Sequence, residues 1–361
     1  MKYYHLSGIV LIIFTEWVKY LFASNPLWVE EYYANGIYLV ISYILQKMSI
    51  LYILPGLFAI PILFFVFIFL VSLSKLKKIV KFSLIINSIG FLYFLFYLVW
   101  GFNYYRLPID HQWKFKSTPF TYKQLTSEYE ETTNHLLNIR KLLADTAIGV
   151  DMVKFNVKNE EQQIIIQNNL QLWLKNHGFP SKAKVPIKSS LPKGIFLHFS
   201  TAGMYFPFSG EGNVDPGLHP IHFTSVMAHE MAHGYGFADE GTCNFLAFIC
   251  HTNDQNPYIA YATTLGYWRY LASNVRRISP SFFNEKMKEL PTGLKKDLID
   301  IQNYSNSYED WMPNLQYKMY DAYLKGQGIK EGMLNYNKVI GLVLAYKAAF
   351  SFILDDSSLP R

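Results

Sequence analysis

The sequence predicts a mainly α-helical protein, with three membrane-spanning helices at its amino end and a helical domain carrying a small sheet behind them. Three observations carry that expectation. Long apolar runs without charge crowd into the first hundred of 361 residues. Beyond them, apolar residues recur at helical spacing and alternating stretches are few. One helical segment holds His229-Glu230-Met231-Ala232-His233, the H-E-x-x-H pattern. Residues four apart share a helix face, so both imidazoles can reach one metal ion.

Residues 54–73 are twenty in a row without a charge, and 82–102 form a second such run. Each is long enough to cross a hydrocarbon core of about 30 Å. Residues 6–22 are a weaker third span, because Glu16 and Lys19 interrupt them. Three apart, these two can pair on one face. Lys2 ahead of the run also gives it the outline of a signal peptide, but Leu21-Phe22-Ala23-Ser24 lacks a clear small-x-small cleavage site. The loop from Ser74 to Lys81 carries four lysines, which the positive-inside rule places in the cytoplasm. The amino terminus is then cytoplasmic, and everything after about Tyr104 lies outside. Residues 24–50 carry Glu30, Glu31 and only Lys47, and face out as well. Within them Ile37 to Ile50 is apolar at helical spacing and suits a helix lying along the outer surface. The chain thus divides into a membrane region, 1–105, and an extracytoplasmic domain, 106–361.

In that domain Asp110 to Pro119 reads as a linker. Thr121 caps a helix from Tyr122 to about Asp145, and a second runs from Glu160 to about Asn176. Ser181 to Lys193 reads as a Pro- and Lys-rich loop. Gly194 to Ser200 alternates like a strand, which Met204 to Phe208 extends. Ser209 to Gly217 reads as a Gly-rich loop, with Glu211 and Asp215 as solvated turn residues or as functional ones. An aromatic helix runs from Tyr258 to about Val275. Val339 to Leu354 is short for a span and reads as a core helix.

The motif helix is apolar, with Val226-Met227-Ala228 leading in and Met231-Ala232 inside it. Buried polar side chains need partners, and a metal supplies one for both His229 and His233. Glu230 sits where it can reach a metal-bound water. Two His ligands and a general base in this spacing point to Zn²⁺ and hydrolysis. A catalytic zinc site needs a third protein ligand. Glu240 and Asp239 are both candidates. Asp239 gives H-E-x-x-H-x-x-G-x-x-D; Glu240 begins an E-x-x-x-N helix in which Asn244 would orient a ligating His from behind. Asp239 as helix N-cap and Glu240 as ligand is a coherent division of labour, and Gly236 lets the chain leave the motif helix through a left-handed cap. Cys243 and Cys250 lie seven apart on one helix, about 10 Å by the helical rise, too far for a disulfide. Neither is read as a ligand.

The run from Gly203 to Asn213, the segment Ala228 to His233, Gly236-Phe237-Ala238, Glu240 and Asn244 to Phe248 together resemble the DUF3810 family. These are zincin-like membrane proteins of bacteria, and the resemblance covers the whole chain. It implies a zincin-like α(+β) fold, a zinc site and a place in the bacterial cytoplasmic membrane with the domain on the periplasmic side. The family's acidic string after the motif helix reads E-x-E-A-N. Glu240 and Asn244 match its ends, Thr242 and Cys243 depart from it, and Asp239 falls where the family is commonly not acidic.

The expected function is a membrane-anchored zinc metallopeptidase, gluzincin-like, with Glu230 as general base and a protein or peptide substrate beside the lipid bilayer. His222, His251, Tyr258 and Tyr261 are available as oxyanion stabilisers. The alternatives are a non-catalytic envelope or signalling protein with a structural zinc, and a zinc hydrolase of cell-wall amides. The net charge of +6 comes mostly from scattered Lys and the basic loop. No Arg-rich run interleaves with aromatics, so nucleic acid is not an expected partner.

Overall fold

The computed structural model describes residues 7–51, 53–115, 117, 119–143 and 158–350. Three helices near the amino end are long and apolar enough to cross a membrane: Ser7–Ser24, Gly56–Leu73 and Lys78–Val99. Each overlays one expected run with its ends shifted. The third stops at Val99, where the chain tightens into a 3-10 turn over Gly101–Tyr105. Their apolar side chains are largely uncovered, with Leu63, Phe65 and Phe69 of the second among the exposed ones. Apolar surface on that scale needs a cover other than water, and it marks a membrane protein. The first and third helices touch through glycine, since a Cβ on Gly90 would overlap the backbone of Gly8. Glu16 and Lys19 pair at 2.9 Å as their spacing suggests, and Tyr93 of the third helix joins them.

The segment between the first two spans is built into the domain. A wide helical turn over Val29–Ile37 runs into a helix, Tyr38–Ser49. Tyr38, Ser42, Gln46 and Ser49 are buried, while Val40, Tyr43, Ile44 and Met48 are exposed. The polar face turns inward because acceptors wait there. The Tyr38 hydroxyl and Gln46 Nε2 donate to the Gly234 carbonyl at 3.0 and 3.3 Å, and Ser49 donates to Glu211 at 2.5 Å. The face left outside is the apolar one that the spacing anticipated.

The remainder is helical around a three-stranded sheet. Strands β1 (Ile187–Ser189), β2 (Gly203–Phe206) and β3 (Glu211–Val214) lie in the order β1-β3-β2, with β1 parallel and β2 antiparallel to the central β3. The motif helix, Pro220–Gly234, packs on this sheet. Beside it run Glu240–Ile249 and Pro257–Ile278. Thr121 and Gln124 cap the helix Tyr122–Leu143 reciprocally, with N–H to side-chain oxygen distances of 2.9 and 3.2 Å. The expected end near Asp145 lies outside the described residues. The helix Asn159–Asn176 stands where expected. Lys338–Phe350 is a core helix with Val339, Ile340, Leu342 and Val343 buried, and its expected continuation to Leu354 lies outside the described residues.

Four sequence expectations fail here. Gly194 to Ser200 is no strand but a turn followed by a 3-10 turn, Leu197–Phe199. The Asp215 carboxylate takes the N–H groups of Gly194 and Phe196 at 2.7 and 2.8 Å, donors that a strand would give to a neighbour. The Gly-rich stretch Ser209 to Gly217 contains the central strand β3, and its acids are fully buried rather than solvated. Glu211 pairs with Lys188 at 3.0 Å and accepts from the Gly56 N–H, which ties the second span to the sheet. The Ser181 to Lys193 loop contains β1. The linker over Asp110 to Pro119 is likewise packed in its described part. Ile109–Gln112 is a helical turn, and the buried Phe115 ring meets Phe245 and Tyr346 at 6.4 and 6.0 Å.

Candidate metal centre

The motif helix starts at Pro220, capped by His219, whose side chain accepts from the Ile221 N–H. It ends at Gly234. Gly236 then takes φ of +87°, and a Cβ there would sit 2.9 Å from the Tyr38 ring and 3.0 Å from Arg106. The chain reverses at once into the helix Glu240–Ile249. Asp239 caps that helix, accepting from the backbone N–H and the hydroxyl of Thr242 at 2.7 Å each. This tight turn brings Glu240 back over the two histidines.

His229 and His233 share one face, with ring centroids 4.8 Å apart. Their Nε2 atoms are 3.1 Å apart, and Glu240 Oε2 lies 3.1 Å from the first and 3.4 Å from the second. The outer ring nitrogens decide what this cluster needs. His229 Nδ1 is 2.8 Å from Asn244 Oδ1, and His233 Nδ1 is 2.7 Å from the Phe237 carbonyl. Both partners are acceptors, so each imidazole carries a proton on Nδ1 and turns Nε2 toward the cluster. Two imidazole Nε2 atoms and a carboxylate oxygen therefore converge on one point, an arrangement that a cation, or a proton in its place, must hold together. His229, His233 and Glu240 could hold a metal ion. Asp239 is spent on the cap and on Asn335 and Lys338, at 2.9 and 3.2 Å.

Without a cation the cluster holds protons instead: burial opposes charge on His233, but Cys243 and Glu240 outweigh it and keep its pKa well above the ordinary value. Burial alone would raise the Glu240 carboxyl, but His233 and His229 outweigh it and hold the group well below the usual carboxylate range. Burial raises Glu230, and the two histidines only partly offset it. Burial pushes the Cys243 thiol up to about 12, so it stays protonated and donates to the Phe237 carbonyl at 3.2 Å. It sits beneath His233, 3.3 Å from Nδ1, and is not a ligand.

Glu230 fits because two strands carry glycine. A Cβ on Gly203 would stand 2.7 Å from Glu230 Oε1, and one on Gly212 would stand 2.9 Å from Glu230 Cβ. A cavity of about 750 Å³ opens beside the cluster and is lined by His229, Glu230, His233, Glu240 and all of β2.

The family model for a protein of unknown function, DUF3810, matches residues 33–344. The chain belongs to the DUF3810 family. No curated protein and no solved structure matches it. The matched stretch of this DUF3810 protein includes every residue of the cluster and the parts that hold it. Within that stretch Thr242 supports Asp239 and Cys243 packs against His233.

Several supports went unseen in the sequence of this DUF3810 protein. Tyr320 donates to Glu240 Oε1 at 2.5 Å, leaving Oε2 for the histidines. The Tyr336 ring lies parallel to that of His229, 5° off, at 6.1 Å. Trp100, just past the third apolar helix, donates from Nε1 to the His233 carbonyl at 3.3 Å. A chain with 27 Tyr offers no spacing that singles out two of them. Of the four residues expected to stabilise an oxyanion, only His222 lines the cavity. His251 is tied to the Ala247 and Ile166 carbonyls, Tyr258 to Thr224, and Tyr261 to Asp297.

Proposed function

We propose that this protein is a membrane-anchored, zinc-dependent hydrolase of peptide bonds. The convergence of two imidazole Nε2 atoms and a carboxylate oxygen, with both Nδ1 protons already committed, carries the proposal. Donors bound to zinc in a tetrahedron at about 2.0–2.1 Å stand about 3.3 Å from one another. The three separations here are 3.1, 3.1 and 3.4 Å. His229, His233 and Glu240 would hold the ion in a zincin-like domain, with Asn244 and Tyr320 fixing their orientation. Three protein ligands are the count of a catalytic site, and a purely structural site has no use for an adjoining cavity or a base.

When bound, the ion supplies Lewis acidity toward a water molecule and a carbonyl. Glu230 handles the proton. Its burial makes it a stronger base than a surface glutamate. It takes a proton from the attacking water, and it returns that proton to the leaving amine as the C–N bond breaks.

β2 is an edge strand that lines the cavity. Asp215 N–H donates to the Ala202 carbonyl, which sets the phase of the ladder. The backbone groups of Met204 and Phe206 then face β3, and those of Gly203 and Tyr205 face away from it. An extended peptide can add along that free edge. Trp100 and Tyr104 line the same cavity at the foot of the third apolar helix, so the substrate is a peptide segment near the bilayer. The lysine-rich loop supports a reading in which that side of the bacterial cytoplasmic membrane faces away from the cell's interior.

The test uses full-length protein purified in detergent. Elemental analysis should give one zinc per chain in wild type and in Glu230→Gln, and a fluorogenic peptide library should be cut by wild type alone. Absence of zinc from folded wild type, or undiminished cleavage by Glu230→Gln, would overturn the proposal.

A further inference from the structure

Arg269, on the helix Pro257–Ile278, lines the cavity that adjoins the metal centre. It makes no hydrogen bond and no ion pair with any described residue. Its side chain is open to the cavity, yet enough protein surrounds it that burial pulls its pKa down, and only the hydroxyl of Tyr270 opposes this. No acid stands beside it. The cavity's carboxylates, Glu230 and Glu240, belong to the metal centre. An arginine carries five N–H donors in a planar fork. Open to the cavity, that fork is available to an acceptor brought by a ligand.

His222 stands at the same place. It lies on the motif helix seven residues before His229, two turns or about 10 Å along the axis. Its Nδ1 is buried and has no hydrogen-bond partner. Burial, and then the charge of Arg269, push its pKa well below the ordinary value, so the ring is neutral. A fork of donors and a neutral imidazole thus line the cavity together, the imidazole two helical turns from His229.

We propose that Arg269, assisted by His222, forms a subsite for a carboxylate of the substrate peptide. This deepens the peptidase proposal and rests on it. A carboxylate matches the guanidinium fork in planarity and charge, and can accept from it in bidentate fashion. At about 3.3 Å per extended residue, 10 Å corresponds to roughly three residues. The carboxylate is therefore that of an Asp or Glu side chain two or three residues from the bond that is cut, or of a chain end at that distance. The protein acts as a peptidase with an acidic preference at a site remote from the chemistry.

The experiment uses full-length protein in detergent and fluorescein-labelled octapeptides of neutral sequence. One set carries a single Glu moved along the peptide, with an amidated end. A second set carries Gln in its place, and a third has a free carboxyl end. Binding is read by fluorescence anisotropy in EDTA, and cleavage is read separately with zinc. One Glu position, or the free carboxyl end, should bind about tenfold or more tighter than its neutral twin. Arg269→Gln should erase that difference while leaving neutral peptides unchanged, and Arg269→Lys should keep part of it. The melting temperature of Arg269→Gln should equal or exceed that of wild type, because the guanidinium has no partner to lose. Equal binding of all sets, or a preference that survives Arg269→Gln, would overturn the subsite. A preference without any cleavage would leave the subsite standing and remove the peptidase reading. Cleavage without a preference would do the reverse.

Discussion

The two ends of the cavity pose opposite demands. At the motif end two imidazoles and a carboxylate converge on a point that calls for positive charge. At the other, beside His222, a guanidinium stands with no acceptor among the described residues. The motif end was assembled by neighbours in sequence, since His229, His233 and Glu240 lie within twelve residues and one tight turn folds them together. The Arg269 end exists only because the helix Pro257–Ile278 packs beside the motif helix. A site built from local spacing announces its ligand in the sequence. One built by packing helices from distant positions announces nothing until its unpaired groups are seen.

The sharpest way to break this contrast is to remove charge at the motif end. Glu240→Ala should abolish both bound zinc and peptide cleavage, read by elemental analysis and a fluorogenic assay. Chelation of the wild type should lower its melting temperature, since a ligand present at a hundredfold its Kd stabilises the folded state by about 2.7 kcal/mol. Retention of a full zinc by Glu240→Ala would move the third ligand elsewhere.

Glu230→Gln should spare the metal and cut the turnover rate by about 10²–10⁴-fold, the usual weight of a general base. A drop in zinc content instead would make Glu230 a ligand.

Asn244→Ala and Tyr320→Phe should each weaken metal affinity by about 10–100-fold, because each removes a partner that orients a ligand. Competition with a chromogenic chelator measures this. Unchanged affinity in both would mean that the helices alone fix the ligands.

Arg269→Gln, at the opposite end, should leave zinc untouched and act on peptide choice by about tenfold. The smallest effect belongs to Asp239→Ala. It should lower stability by about 1 kcal/mol through loss of the cap and leave one zinc per chain, as thermal unfolding and elemental analysis would report.

Spacing and hydropathy were enough for the three apolar helices, the motif helix, the capped turn into Glu240, and the pairing of Glu16 with Lys19. All of these depend on residues within a turn or two of each other, where geometry follows from the helix itself. The strands were only partly legible. Gly203–Phe206 fell within a segment expected to be extended, but Glu211–Val214 looked like a loop because its glycines and acids are turn formers in isolation. Burial of Glu211 against Lys188 and Ser49, and of Asp215 against two backbone amides, reversed that preference.

Packing alone chose Tyr320 from 27 tyrosines, set Trp100 against the His233 carbonyl, turned Tyr38 and Gln46 onto the end of the motif helix, and left Arg269 without a partner among the described residues. Tyr320 is 80 residues from Glu240, and Trp100 is 133 from His233. Contacts of that kind follow no period along the chain. They arise where distant surfaces meet and each buried polar group takes the partner within reach.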